Sequence, residues 1–466
     1  MTHSRHKLRR LAAMLIAAAL VVTACGDSEP STTEDSESTT TAVDTTGATG
    51  TEAPDETTTT QDSEPSLAGS TVTILGAFTD KDGHFQSMLD AFGADTGITV
   101  EYEGSSDFST IAVTRVEGNN PPDILMFPQP GSMAGFARRG QLRSLEGLID
   151  RADLEARLHA GLIDLGLVDG ELYALPFTIN IKSLVWYPKP AFEAAGYEIP
   201  ETWDELTALA DQIKADGVTP WCLGIESGGS TGWVASDWIE DIMLRLWGPD
   251  VYDQWVAGEL PFDSPEVTMA FEVFADVALT EGNVLGGPTG ILTTSFRDSP
   301  TPMFEDPPAC YLHRQASFAV GLFPEGTEYG VDYDLFFLPP APGMGSYDGR
   351  PLLGGGDIAS LATDNPAAVA VLEYLTTGEA FMNSRASEGG TLSAYREVEV
   401  DDYPLATDRA QAQILAEAEV FRFDGSDLMP AQVGSGAFRD EIVAWINGEE
   451  ELQDALQAID AAWPAG

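Results

Sequence analysis

The stretch STVTILGAFTDKD (residues 70–82) alternates β-branched and smaller positions, then ends in a glycine-containing loop, which predicts a strand. In HFQSMLDAFGADTG the period changes: Phe85, Met88, Leu89 and Phe92 recur at helical spacing. ITVEYEG follows as a second short strand. Together these read as a β-α-β unit, which predicts a parallel sheet. PPDILMFPQPG supplies another short buried strand, residues 141–168 read as helical, and GELYALPFTINIKSLVWYP reads as a turn followed by extended chain.

Later helices carry local start signals. In PETWDELTALADQIKADG, Thr202 and Glu205 have capping-box spacing, and Leu206, Leu209 and Ile213 share one face. In DSPEVTMAFEVFADVALTEG, Ser264 is placed to cap and Pro265 to take the first helical position. Val267, Phe271, Phe274 and Val277 form its apolar stripe. DNPAAVAVLEYLTTGEAF starts in the same way, and the tail from SGAFRDEIVAW onward is mostly helical. The pattern is α/β. With no repeat and no long linker after Ser66, it suggests two lobes whose strands interleave along the chain.

The first 25 residues are of another kind. MTHSRHKLRR is basic, and LAAMLIAAALVVTAC is apolar but too short for an ordinary membrane span, as in a secretory signal. Val22-Thr23-Ala24-Cys25 resembles the bacterial lipobox, in which the cysteine becomes residue one and is acylated on its sulfur. Residues 1–24 are thus expected as a signal peptide and Cys25 as a lipid anchor on the outer face of the membrane. From Gly26 to about Ser66 the chain is Thr, Ser, Asp and Glu with no Lys or Arg, an expected tether without a core.

Composition narrows the function. The chain has 466 residues, 75 acidic against 23 basic, a formal charge of −52. Such a surface repels phosphate backbones, so nucleic acid is excluded as a partner, and neutral or cationic ligands fit better than anions. Three cysteines are present. Outside the cytoplasm the two besides Cys25 favour a Cys222–Cys310 disulfide over two buried thiols. Cys310 and His313 have C-x-x-H spacing, but no second ligand pair accompanies them, so no metal or cofactor is expected.

Three motifs suggest chemistry. Gly228-Gly229-Ser230-Thr231-Gly232 satisfies the G-x-S-x-G pattern of a hydrolase elbow, with only His313 downstream to serve as base. PLLGGGDIAS lacks the Gly-Lys-Ser/Thr of a phosphate loop. Aromatic residues mixed with short polar ones in TGWVASDWIEDIMLRLW point elsewhere. Trp238 and Trp247 read as core, while Trp233, at the glycine-rich start of the helix, offers a ring to a cleft. Such a face covers the C–H face of a sugar while polar neighbours meet its hydroxyls.

From about Gly69 to its end the chain resembles the extracellular solute-binding proteins of ABC sugar importers, of the maltose-binding type and most closely their α-glucoside-binding branch. The resemblance rests on PPDILMFPQPG, GELYALPFTINIKSLVWYP, TWDEL, GIESGGSTGWVASDWIEDIML, PFDSPEV, CYLHRQASF, GGGD and MPAQVGSGAF, in that order. It implies a two-lobed periplasmic-binding-protein-like fold with a ligand cleft between lobes and hinge crossings: residues 69–180 with 350–400, and 181–349 with 401–466. It implies a monomer that catalyses nothing and serves a membrane permease. The cleft residues it implies are Gln129 and Pro130, Asn180, Trp233 and Asp237, Arg314 and Gln315, and Gly356 and Asp357. Phe78 and Asp107 follow from first-lobe loops, and Gln432 and Phe438 from the tail. Trehalose, maltose, sucrose and glucosylglycerol are the ligands consistent with it. A hydrolase using Ser230 and a polyamine-binding protein are the alternatives.

Overall fold

The structure is a computed structural model and describes residues 67–80, 82–159 and 161–464. The expected signal peptide, Cys25 and the tether up to residue 66 lie outside the described residues. Among the described residues no helix is long and apolar enough to cross a membrane.

The chain opens with β1 (Thr71–Gly76), α1 (His84–Thr96), β2 (Thr99–Gly104), α2 (Phe108–Glu117), β3 (Ile124–Phe127) and α3 (Pro130–Arg138). Phe85, Met88 and Leu89 are buried under the sheet as their spacing predicts. The stretch 141–168 departs from its expected helix. It holds α4 (Arg151–Arg157), a 3-10 turn and β4 (Leu167–Val168), which pairs with β5 (Glu171–Leu172). Gly147 and Gly161 take left-handed backbone there, φ +78° and +81°, and interrupt helical winding on either side of α4. The extended run is β6 (Ala174–Pro176), β7 (Thr178–Ile181) and β8 (Leu184–Tyr187).

Next come α5 (Lys189–Ala195), α6 (Trp203–Ala215), β9 (Thr219–Trp221), α7 (Trp233–Val256), α8 (Pro265–Ala278) and α9 (Gly287–Thr293). Thr202 Oγ1 caps α6 by accepting from the Glu205 amide at 3.3 Å, but Glu205 takes the Glu201 amide and leaves the capping box half closed. Ser264 caps α8 through the Val267 amide. Strands β10 (Cys310–Arg314) and β11 (Asp334–Phe337) complete this part. The remainder is β12 (Pro351–Gly355), β13 (Ile358–Leu361), α10 (Pro366–Leu375), α11 (Gly378–Ser384), β14 (Leu392–Ser393), α12 (Ala406–Glu417) and β15 (Val420–Phe423), then α13 (Gly425–Leu428), α14 (Phe438–Ile446) and α15 (Leu452–Ala461).

Three larger sheets, beside the β4-β5 pair, organise the described elements. The first has the order β2-β1-β3-β13-β6; β1 runs parallel to β2 and β3, while β13 lies antiparallel between β3 and β6. The second is β11-β8-β10-β9, and the third is β14-β7-β12-β15, whose inner strands β7 and β12 are the chain's passages between the other two. Large apolar clusters cover both faces of the first sheet and surround α7 and α8. This is the two-lobed α/β architecture, and the parallel sheet the sequence predicted is mixed because β13 enters it reversed.

Cys222, just past β9, and Cys310, which begins β10, are bonded, with Cα atoms 5.5 Å apart. Both are buried, and the bond excludes Cys310 as a metal ligand.

Candidate ligand cleft

A cavity of about 410 Å³ opens between the sheets, within the ~300–1,000 Å³ typical of small-molecule sites. One side is formed by loops beyond the first sheet: Phe78 after β1, Phe108 at the start of α2, Gln129 after β3, and Arg385, Glu388 and Thr391 after α11. The other is formed by Ser230, Trp233, Asp237, Phe296, Arg297 and Phe318. The passages between sheets make the floor, with Asn180, Lys182, Gly356, Asp357, Asp427 and Arg439.

Aromatic faces stand on both sides. Phe78 stacks on Tyr102 at 4.9 Å between centroids, and the Arg385 guanidinium lies 4.5 Å from the Phe78 ring centre. Opposite, Trp233 packs edge-on against Phe296 at 5.1 Å and tilted against Phe318 at 6.0 Å. Rings so braced lose little freedom when a ligand meets them.

The floor is charged but internally neutralised. Lys182 Nζ donates to Asp237 Oδ1 at 2.9 Å and to Asp424, with Asp427 Oδ2 3.9 Å away. Burial pulls the ammonium down, but Asp237, Asp424 and Asp427 outweigh it and hold Lys182 above the ordinary lysine range. Oxygens of Asp237, Glu240 and Asp424 lie within 4.8 Å of one another. The lysine is thus the cation of this acidic cluster. Burial, with the charge of Asp424, pushes the Asp427 carboxyl up to about 7 despite its bond to Arg439 at 3.2 Å. Glu240 accepts from the Gly425 and Ser426 amides, fastening α7 to α13.

The two tail residues apart, seven of the eleven residues expected at the site line the cavity: Phe78, Gln129, Asn180, Trp233, Asp237, Gly356 and Asp357. Four stand outside its lining. Asp107 is exposed, although its neighbours Ser106 and Phe108 reach the cavity. Pro130 is buried as the first residue of α3. Arg314 is fully buried and donates to the Asp237 carbonyl (3.0 Å) and Asp241 Oδ2 (2.9 Å) from behind. Gln315 is buried and turns its side-chain oxygen to the Ala316 amide. Of the tail residues, Gln432 is exposed and bonds the Ala462 carbonyl, while Phe438 packs in the core against Phe262.

Sequence reasoning missed Arg385, Glu388, Phe296, Phe318, Asp427 and Arg439. Only Lys182 had a local signal, a lone charge in the apolar run INIKSLVW. Ser230 also lines the cavity. Its expected base does not join it: His313 is buried, its Nδ1 lies 2.9 Å from the Cys222 carbonyl oxygen, and burial pushes it down to about 4. Among the described residues no hydrogen bond connects Ser230 to His313, so the nucleophile elbow lacks its base.

The family model of the bacterial extracellular solute-binding protein matches residues 76–380. The chain belongs to that family. It is therefore a binding protein and not an enzyme, and it acts outside the cytoplasm. This solute-binding protein is 41% identical over 394 residues to the osmoprotective compounds-binding protein GgtB of Synechocystis sp., covering 84% of this chain and 92% of that one. It is also 41% identical over 405 residues to the alpha-glucosides-binding periplasmic protein AglE of Rhizobium meliloti, covering 85% and 88%. Among solved structures, a chitin oligosaccharide binding protein superposes with a TM-score of 0.71 at 17% identity, covering 84% of this chain and 97% of that one. Maltose-bound MalE3 of T. maritima gives 0.66 at 19%, covering 84% and 98%. At these identities the structures speak for the fold.

Proposed function

We propose that the protein captures a neutral sugar of the α-glucoside class, such as trehalose, maltose, sucrose or glucosylglycerol, and delivers it to an ABC permease. The supporting observation is a set of buried polar atoms without hydrogen-bond partners, all on cavity-lining residues: Asn180 Oδ1, Arg385 Nε, Thr391 Oγ1 and Arg439 Nε. Buried polar groups left unpaired are costly, so this mixture of donors and acceptors suits a polyhydroxylated ligand that satisfies both. The aromatic faces suit the C–H faces of its rings.

The polyamine alternative fits less well. The acids lining the cavity are Asp82, Asp237, Asp357, Glu388 and Asp427, and the bases are Lys182, Arg297, Arg385 and Arg439. Acidity on the chain as a whole is nearly cancelled at the cleft, so a polycation gains little there. The names of GgtB and AglE favour an α-glucoside or osmoprotective compound. In this reading the lobes are residues 69–180 with 350–400 and 181–349 with 401–466, and closing them encloses the ligand. The protein acts as a monomer, held to the outer face of the membrane by lipid on Cys25 and reaching the permease on its tether.

A thermal-shift and calorimetric screen of residues 67–466 against the four sugars, glucose and spermidine tests this. A binding sugar at a hundred times its Kd stabilises by about 2.7 kcal/mol. Trp233→Ala is expected to weaken that sugar about tenfold or more. A shift with spermidine alone overturns the sugar reading. Cys25→Ser releasing the full-length protein into the medium supports the anchor, and retention on cells refutes it.

A further inference from the structure

The turn between α11 and β14 forms part of the cleft's edge, where Glu388, Gly389 and Thr391 line the cavity. Two consecutive glycines shape it, Gly389 at φ +76° and Gly390 at φ +78°. A Cβ on Gly390 would stand 2.6 Å from Phe318 Cα, and one on Gly389 2.6 Å from Leu405 Cδ1. The turn is pressed from two sides, and only glycine fits such backbone without strain.

Both backbone groups of Gly390 are held. Its amide donates to Asp408 Oδ1, on α12, at 2.9 Å. Its carbonyl accepts from Ser317 Oγ at 2.7 Å. Ser317 Oγ accepts in turn from the Ile181 amide of β7 at 3.2 Å, and the next residue, Phe318, lines the cavity. The turn is thus clamped between α12 and the segment after β10, which is itself bonded to β7.

Asp408 is fully buried, and its Oδ2 has no hydrogen-bond partner. Burial pushes its carboxyl up to about 6. An ionisable group in such a place is expensive to keep, and its hydrogen bond goes to the cleft turn. We propose that Asp408 is a positioning residue: without reaching the cavity, it fixes Gly390 and thereby sets Glu388, Gly389 and Thr391 where a ligand meets them, with Ser317 as the opposing clamp. This rests on the cleft being the sugar site, but the state of the turn is readable without any ligand.

The test combines amide hydrogen exchange of the ligand-free protein, read by mass spectrometry over residues 385–394, with the Kd of the sugar found in the screen. Asp408→Leu is expected to speed exchange in that segment about tenfold and to raise Kd by a similar factor, on the scale of one hydrogen bond. Asp408→Asn, whose amide oxygen still accepts from Gly390, is expected to restore both. Ser317→Ala should repeat the Asp408→Leu result from the other side, and it carries the test if the leucine variant does not fold. The proposal fails if a folded Asp408→Leu or Ser317→Ala leaves the segment's exchange or the Kd unchanged. It fails equally if Asp408→Asn behaves like Asp408→Leu, or if exchange rises evenly across the molecule. If no sugar binds the wild type, the sugar reading falls with this ligand role, while a local, asparagine-rescued change in exchange still establishes the clamp.

Discussion

On the floor of the cleft Lys182 is enclosed by Asp237, Asp424 and Asp427, and the ion pairs continue to Arg314, Asp241 and Arg245, all buried. On the first-sheet edge Arg385 pairs with Glu388 three residues away, at 2.5 Å, with Phe78 beneath it. The floor gathers charges from the β7–β8 link, from α7 and from α13, so it ties together segments distant in sequence. The edge is a local pair on one turn. Removing a partner from the floor strands several charges out of water, whereas the edge holds a single pair whose carboxylate keeps 16% of its side-chain surface exposed. The floor is suited to holding the β7–β8 link, α7 and α13 in register with one another.

The largest effect expected lies on the second-sheet side, which the disulfide closes covalently. Replacing Cys222 and Cys310 by alanine removes a crosslink between residues 88 positions apart, worth roughly 4–5 kcal/mol on the chain-entropy model. Urea unfolding measures it. Lys182→Met should cost about 3–5 kcal/mol, because Asp237 and Asp424 lose their counter-ion. Arg385→Met should cost far less stability and mainly weaken sugar binding. Equal losses of stability in the two would erase the contrast between floor and edge.

A pH series sharpens it further. Asp408 has a folded-state pKa raised to about 6, against ~3.9 for an unfolded aspartate. A raised value means the folded protein binds the extra proton, so this group's contribution is full below pH ~4 and is lost as pH rises to about 6. Asp408→Asn should therefore match wild type near pH 4 and exceed it by roughly 2–3 kcal/mol above pH 7. A constant difference across that range would contradict the assignment. Phe78→Ala is expected to weaken sugar binding by about 1.5 kcal/mol through lost apolar contact, with little change in the second lobe. Smallest is Arg138→Ala, which breaks an exposed 3.2 Å pair with Asp169 and should move stability by less than about 1 kcal/mol.

Much of the fold was legible because its signals are local. The spacing of Phe85, Met88 and Leu89, and the caps Ser264 and Thr202, each lie within one element and appear where expected. The reversal of β13 was not legible, since nothing in IASL records which strand it will join. The helix expected over 141–168 failed where glycines adopted left-handed backbone. Of the residues that line the cavity, Trp233 was marked by its glycine-rich helix start, whereas Asp237 was placed by likeness. Arg314 was placed by likeness alone and stands one layer behind the cavity, where it braces Asp237 and Asp241. Arg385 and Glu388 sit in a segment that reads as an ordinary polar helix end, and only folding brings it over Phe78.

Phe127 of β3 finds its partner in Ile358 of β13, and Ile181 of β7 finds Gly354 of β12. A chain threaded through a membrane with its beginning first therefore emerges with the first sheet missing an inner strand. That gap stays open until more than three-quarters of the sequence has crossed. Pairings over such separations form slowly, because the intervening chain must first be gathered in. Late closure leaves unpaired strand edges exposed on the far side meanwhile. The order of strands that builds the cleft thus also sets the moment at which the protein commits to its final shape.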